Sequence, residues 1–180
     1  SGVQLSISSS GQVTYASGAS SAAAGVAMGS EIVYSTDGMT WTTTGSSVIT
    51  GTSIVYGGGQ WVAVGYGSNS IAYSSDGINW TGLGKSIFSN AAYGVAYNGS
   101  RWVAVGNGGN SIAYSDNGTT WTPDTNFFAT SGYGVAYGNG KWVAVGSGTN
   151  KIAYSTDGVS WTGVTGVFTS DGQGVVYGNG

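Results

Sequence analysis

Four stretches of the chain combine Ser, an acidic or amide residue and Gly in a pattern that could carry chemistry. They read "IVYSTDGMTWT" (32–42), "IAYSSDGINWT" (71–81), "IAYSDNGTTWT" (112–122) and "IAYSTDGVSWT" (152–162). An aspartate in such a loop could bind a cation or act as a general acid. The alternative is that each stretch is a structural turn between two strands.

The third copy favours the turn, because it has Asn117 where the others have Asp. Asn tolerates turn backbone as Asp does, but it cannot act as a general acid. We therefore predict two-residue type I′ hairpins, in which Tyr34 opposes Trp41 and the equivalent aromatic pairs follow. The predicted turn residues are Asp37, Gly38, Asp76, Gly77, Asn117, Gly118, Asp157 and Gly158.

Composition excludes several classes of function. Only 6% of the 180 residues are charged, and the four basic residues (Lys85, Arg101, Lys141 and Lys151) are scattered. They form no basic patch for nucleic acid, and no apolar run is long enough to insert into a membrane. The chain has no His and no Cys. We therefore expect no enzyme activity, no catalytic residue, no metal site and no cofactor.

The elements that carry the turns recur with a period of about 40 residues. The marker tyrosines Tyr15, Tyr56, Tyr97, Tyr137 and Tyr177 are separated by 41, 41, 40 and 40 residues. Such a period is typical of propeller blades and related β arrays. We predict an all-β single domain over 1–180, a small β-propeller of about four four-stranded repeats (11–51, 52–92, 93–132 and 133–172). A β-solenoid-like stack is the alternative.

Each repeat contains four β signals, which we call strands A to D. Strand A is "GVAY", strand B "WVAVG", strand C "IAYS" and strand D the region around "WT". Alternation in strand B places Trp102 and Ala104 on one face and Val103 and Val105 on the other. In the first repeat we expect "QVTYASG" (12–18) to be strand A and "SSAAAGVAM" (20–28) a degraded strand B. Apolar pairs such as Phe127-Phe128, between strands D and A, are expected to pack between blades.

The repeated Ser-x-Asp-Gly-x-x-Trp resembles the Asp-box of sialidase-like β-propellers, in which one more residue separates Asp from Gly. The resemblance implies a structural hairpin between the third and fourth strands of a blade. It does not imply sialidase activity, which needs an arginine triad, whereas this chain has only Arg101 and one glutamate, Glu31. The repeats also resemble those of proteins from large viruses and microbial surfaces.

Positions at which the repeats differ are the candidates for binding. One, just before strand A, has Thr52, Tyr93, Tyr133 and Gln173; another, after strand B, has Tyr66, Asn107 and Ser147; a third, before the strand B Trp, has Gln60, Arg101 and Lys141. Aromatics beside amides suit neutral glycans or a protein partner. The candidate ligand-binding residues are Tyr66, Tyr93, Asn107, Tyr133 and Gln173, with ordinary loop variation as the alternative. Asn69, Asn110 and Asn150 are expected to form Asx-type turns.

The two ends of the chain have the same phase of the repeat, since each contains a connector and a strand A. Segments 1–10 and 173–180 are therefore candidates for strands that close the fold or pair with another molecule, and the alternative is that the chain is a fragment of a longer array. We expect a non-enzymatic recognition or structural module on a cell surface or virion, or otherwise extracellular, that binds a glycan or receptor. The alternative is a self-assembling surface filament or fibre subunit, joined to copies of itself by strand exchange.

Overall fold

A computed structural model describes residues 3–7, 13–17, 23–124 and 127–178; for the first two ranges it describes the backbone alone. These residues form seventeen strands in four sheets, which we call blades 1 to 4 in chain order. Blades 2, 3 and 4 each have four antiparallel strands in sequential order, as predicted for strands A to D. Within the described residues, no helix is long and apolar enough to cross a membrane.

The strands are short, as the closely spaced turn residues require. Blade 2 contains β6 (Thr50–Gly57), β7 (Gln60–Tyr66), β8 (Ile71–Ser74) and β9 (Thr81–Gly82). Blade 3 contains β10 (Ala91–Tyr97), β11 (Trp102–Asn107), β12 (Ile112–Ser115) and β13 (Thr122–Asp124). Blade 4 contains β14 (Ser131–Gly138), β15 (Lys141–Ser147), β16 (Ile152–Ser155) and β17 (Thr162–Val164).

Blade 1 differs from the other three at its inner edge. It contains β1 (Val3–Ile7), β2 (Val13–Ser17), β3 (Gly25–Met28), β4 (Ile32–Ser35) and β5 (Thr42–Thr43), in the order β2-β1-β3-β4-β5. The strand expected in 20–28 is present as β3. However, the prediction that 12–18 supplies strand A beside it is wrong. The segment 3–7 forms β1, which pairs in parallel with β3 and so occupies the edge that β2 would need.

Three apolar clusters lie between consecutive blades. In blades 2 and 3, strand B contributes one face to the cluster on each side of its blade. Trp102 and Ala104 pack against Val62 and Val64 of blade 2, whereas Val103 and Val105 of the same strand pack against blade 4. The predicted alternation of strand B is therefore confirmed. One residue of three connector pairs is buried in these clusters, namely Ile49, Phe88 and Phe128. In the fourth pair Val167 and Phe168 are both exposed, so the expected packing between blades does not extend to it.

Residues 171–178 form no strand, but they occupy the place of a further strand A beside blade 4. The Gly172 amide donates to the Gly146 carbonyl at 3.0 Å, as the Gly51 amide donates to Gly29 at 3.0 Å. The Tyr177 ring lies directly against Gly138, as the Tyr97 ring lies against Gly57. Of the predicted terminal strands, residues 1–2, 8–10 and 179–180 lie outside the described part of the chain.

Candidate functional site

The Asp-Gly stretches form hairpin loops that are wider than predicted. The chain leaves strand C at Ser35 and enters strand D at Thr42, and only Gly38 within this loop has a positive φ, of 77°. A type I′ turn would need positive φ at Asp37 as well, so that prediction is wrong. The wider loop shifts the register, and Tyr34 opposes Thr42 instead of Trp41.

The predicted pairing of the strand C Tyr with the strand D Trp is wrong in the other three blades for the same reason. There Tyr73, Tyr114 and Tyr154 oppose Thr81, Thr122 and Thr162. In blades 2 and 3 the Trp just before strand D instead folds back on its own loop. The indole N–H of Trp121 donates to the Gly118 carbonyl at 3.1 Å, and that of Trp80 donates to the Gly77 carbonyl at 3.0 Å.

Tyrosine and tryptophan rings do meet across strands, but on strands A and B. The three ring contacts are Tyr56–Trp61, Tyr97–Trp102 and Tyr137–Trp142, with centroids 4.9, 4.4 and 4.9 Å apart. These residues are register partners in the antiparallel pairing of the two strands. Three of the marker tyrosines, Tyr56, Tyr97 and Tyr137, thus stabilise the hairpin between strands A and B.

Hydrogen bonds from the backbone explain why the hairpin aspartates recur. The Asp37 carboxylate accepts the amides of Met39 and Thr40 at 2.8 and 2.7 Å, while Ser35 Oγ accepts the Gly38 amide at 2.8 Å. The amides of Thr40 and Met39, and then the Ser35 hydroxyl, lower the pKa of Asp37 to about 2. Such a group is ionised at neutral pH and has no proton to give as a general acid.

Asn117 makes the same contacts with a neutral side chain. Its Oδ1 accepts the amides of Thr119 and Thr120 at 2.9 and 2.8 Å, and Ser115 Oγ accepts the Gly118 amide at 2.8 Å. The loop therefore needs an oxygen acceptor at this position and not a charge.

The hairpin glycines of blades 2, 3 and 4 also lie against the preceding blade. A Cβ on Gly118 would lie 2.8 Å from Gln60 Nε2 and 3.2 Å from Val62 Cγ2, both in blade 2. Gly158 approaches Arg101 and Val103 of blade 3 in the same way. Sequence reasoning identified glycine here by its backbone alone, whereas its small size is also required between blades.

Arg101 connects two hairpins, so its position before strand B is structural. Its guanidinium forms a salt bridge with Asp116 at 2.7 Å and donates to the backbone carbonyl of Asp157, in blade 4, at 2.7 Å. It also lies 4.9 Å above the Tyr114 ring. Hydrogen bonding by Arg101 lowers the pKa of Asp116. Within the described residues, no three His, Cys, Asp or Glu side chains are grouped so that they could hold a metal ion.

The predicted position before strand A is a β-bulge in three successive blades. The register of strands A and B shifts between Gly51 and Ser53, between Ala92 and Gly94, and between Gly132 and Gly134. The extra residues are Thr52, Tyr93 and Tyr133. A bulge redirects the side chain of its extra residue and is common beside functional sites.

Side chains at the bulges reach the next blade. The rings of Tyr93 and Tyr133 lie 5.4 Å apart at an interplanar angle of 51°. Thr52 Oγ1 lies 2.7 Å from the Ala92 carbonyl of blade 3. Gln173, the equivalent residue beside blade 4, is exposed. The structure therefore places Tyr93 and Tyr133 together on the A strands of blades 3 and 4. We call the A strands of the blades the inner strands.

The second predicted position lies at the same end of the blades, because strand B ends where strand A begins. Asn107 opposes Ala91, two residues before Tyr93, and its Oδ1 accepts the Ala91 amide at 3.2 Å. Tyr66 opposes Thr50, two residues before Thr52, and is 50% exposed. Both positions thus lie at the end of each blade at which the D–A connector arrives.

Two of the three recurring asparagines, Asn69 and Asn110, join loops instead of forming local Asx turns. Asn69 Nδ2 donates to the Val48 carbonyl and its Oδ1 accepts the Gly84 amide, both at 2.6 Å. Asn110 Nδ2 donates to the Ile87 carbonyl at 2.6 Å. These bonds fix the B–C turn to the connectors at the end of the blades that holds the tyrosines.

Comparisons with known proteins agree with this blade architecture. No protein-family model and no curated protein matches the chain. Among solved structures, it is similar to YCF48 from Cyanidioschyzon merolae, with a TM-score of 0.58 and 15% identity over 97% of this chain and 60% of that one. The designed protein Ika8 matches with a TM-score of 0.53 and 12% identity, over 94% of this chain and 57% of that one.

A third similar structure is the GH74 enzyme of Niastella koreensis, with a TM-score of 0.51 and 20% identity over 86% of this chain and 27% of that one. The chain thus spans no more than six-tenths of the length of these proteins. YCF48 and the GH74 enzyme are propeller proteins, and the four sheets, three of them fully antiparallel, give this chain the same all-β, propeller-like fold. At such identities the likeness concerns the fold alone.

Proposed function

We propose that the chain is a non-enzymatic recognition module whose inner-strand tyrosines bind a neutral glycan, either free or carried by a surface receptor. The observation that carries this proposal is the contact between Tyr93 and Tyr133, both on β-bulges of adjacent blades. Aromatic rings with hydroxyl groups offer an apolar face for a sugar ring and a polar tip for its hydroxyls.

The surroundings of the pair support a neutral ligand. The equivalent positions in the neighbouring blades are Thr52 and Gln173, and Asn107 lies at the same end of blade 3. These are hydroxyl and amide groups, which suit the hydroxyls of a sugar better than an anion or a cation. Tyr66, half exposed at the end of β7, adds a further aromatic at this end of the array.

The engagement of the acidic residues supports a role without catalysis. The carboxylates of Asp37, Asp76 and Asp157 each accept two backbone amides within their hairpins. Asp116 is paired with Arg101. A glycosidase would need two carboxyl groups flanking one glycosidic bond, one of them able to donate a proton.

We place this module outside the cell, on a microbial or virion surface. Its low content of charged residues and its many Ser, Thr, Asn and Gly suit a surface wetted by hydroxyls and amides.

A glycan array tests the proposal. We expect the labelled chain to bind a group of neutral glycans, and a Tyr93→Ser/Tyr133→Ser variant to lose this signal at least tenfold. Tyr34→Ser, which alters a half-buried tyrosine on strand C of blade 1, is the matched control and should retain binding. Far-UV circular dichroism must show that all three proteins are folded. Failure of the natural chain to bind any glycan, or equal binding by the double variant, would overturn the proposal.

A further inference from the structure

The three contacts between blades repeat the same set of side chains. We call the face of a blade that packs on the next one its forward face, and the opposite face its backward face. The forward face carries the strand B valines, such as Val62 and Val64, and the backward face carries residues such as Trp102 and Ala104. The chain thus presents one interface three times, between blades 1 and 2, 2 and 3, and 3 and 4.

The forward face of blade 4 exposes side chains that are buried in the other blades. Val143 is half-buried, whereas Val62 and Val103 at the same position are fully buried. Phe168 is 44% exposed, against 0% for Phe88 and 1% for Phe128. Residues 171–178 cover part of this face, but they contribute no Trp or Ala equivalent to those of a following blade.

On the backward face of blade 1, side chains among residues 23–43 are more exposed than their equivalents in blade 2. Ala27 and Val33 are half-buried, whereas their equivalents in blade 2, Ala63 and Ala72, are fully buried. The hairpin of blade 1 is also more exposed, since Met39 is 82% exposed while the equivalent Ile78 of blade 2 is half-buried. Blade 1 therefore exposes a backward face, which is the kind of face that packs on a forward face in the other interfaces. The forward face of blade 4 has no such partner among the described residues.

Charges on the two free faces are complementary. Between blades 3 and 4, Arg101 donates across the interface to the carbonyl of Asp157 in the next hairpin. Lys141 occupies the position of Arg101 in blade 4 and is exposed. The equivalent hairpin on the free face of blade 1 contains Asp37, which is exposed and ionised. A second copy would therefore bring a carboxylate towards Lys141.

We propose that the forward face of blade 4 binds the backward face of blade 1 of a second copy of this chain. This contact would continue the series of interfaces that the blades already form, and it is separate from glycan recognition. Two such contacts would join two copies of four blades into one ring of eight, within the usual range of propellers. Because blade 1 has Gly25 where blade 2 has Trp61, we expect the contact to be smaller and reversible.

Measurement of mass in solution tests the proposal. By sedimentation equilibrium at 100 µM we expect about 36 kDa, twice the 18.0 kDa of one chain, with dissociation on dilution. Phe168→Asp and Lys141→Glu should each weaken association at least tenfold. Lys85→Glu makes the same charge change in an exposed connector and is the matched control. A monomer at 100 µM, polymers without a dimer, or equal weakening by Lys85→Glu would overturn the proposal.

A mixing experiment shows which faces meet. Phe168→Asp damages only the forward face and Met39→Asp only the backward face, so each variant alone should be monomeric. An equimolar mixture retains one intact pair of faces, and we expect heterodimers by native mass spectrometry. If blade 4 instead bound blade 4 of the second copy, Met39→Asp would remain a dimer, and that result would contradict the proposal. Unchanged circular dichroism excludes misfolding as the cause.

Discussion

The hairpin aspartates show how one residue can look catalytic and still be structural. A serine, an acid and a glycine are common in active sites, and they recur here in a short loop. The acid accepts amides from its own loop, and Asn117 does the same without a charge. Repetition within one chain thus provides the comparison that a single site lacks.

The hairpin glycines are subject to two requirements that a substitution can separate. We expect Gly118→Ala to lower the free energy of unfolding by about 2–5 kcal/mol, because φ is 74° and a Cβ would press on blade 2. Gly109 has a φ of 93° but open space around it. Gly109→Ala should therefore cost only the backbone strain, about 1–2 kcal/mol.

Urea unfolding followed by tryptophan fluorescence measures both values. Equal losses for the two variants would show that the close approach between blades 2 and 3 contributes nothing to stability.

The strands were largely predictable, because their side-chain alternation and the spacing of turn residues are local properties. The faces of Trp102 and Val103 followed from a period of two. The register of strands C and D was not predictable in the same way. It depends on hydrogen bonds that the Asp37 side chain accepts from amides of its own loop, in a turn wider than the two residues that Asp-Gly usually indicates.

The inner edge of blade 1 shows a second limit of local reasoning. The segment "QVTY" resembles other strand A sequences, yet β1 lies between β2 and β3. Its parallel pairing involves residues about twenty positions apart, and no turn signal in the sequence records such a partner.

Burial of strand B between blades is the main source of stability at the scale of elements. We expect Val103→Ala to cost about 2–3 kcal/mol, because two methyl groups are removed from a fully buried site. Val143→Ala makes the same change on the half-buried face of blade 4 and should cost about 1 kcal/mol or less. Thermal unfolding at low protein concentration, where copies do not associate, compares the two. A larger loss for Val143→Ala would contradict the assignment of that face as uncovered.

At the scale of the whole molecule, the extensive contacts between sheets join blades consecutive in the chain. The sequence indicated the number of blades and the positions at which they differ. It could not indicate that the residues before strand A are bulges, because a bulge is a property of the pairing between two strands. That feature brings Tyr93 and Tyr133 into contact across adjacent blades.

The central claim is that the hairpins are structural and that recognition belongs to the inner strands. Amide chemical shifts of the isotope-labelled chain, measured during titration with a glycan selected on the array, test it most directly. We predict the largest changes at residues 91–94 and 131–134, with little change in the hairpin loops at 36–40, 75–79, 116–120 and 156–160. Changes concentrated in the hairpin loops, with none around Tyr93 and Tyr133, would contradict this account.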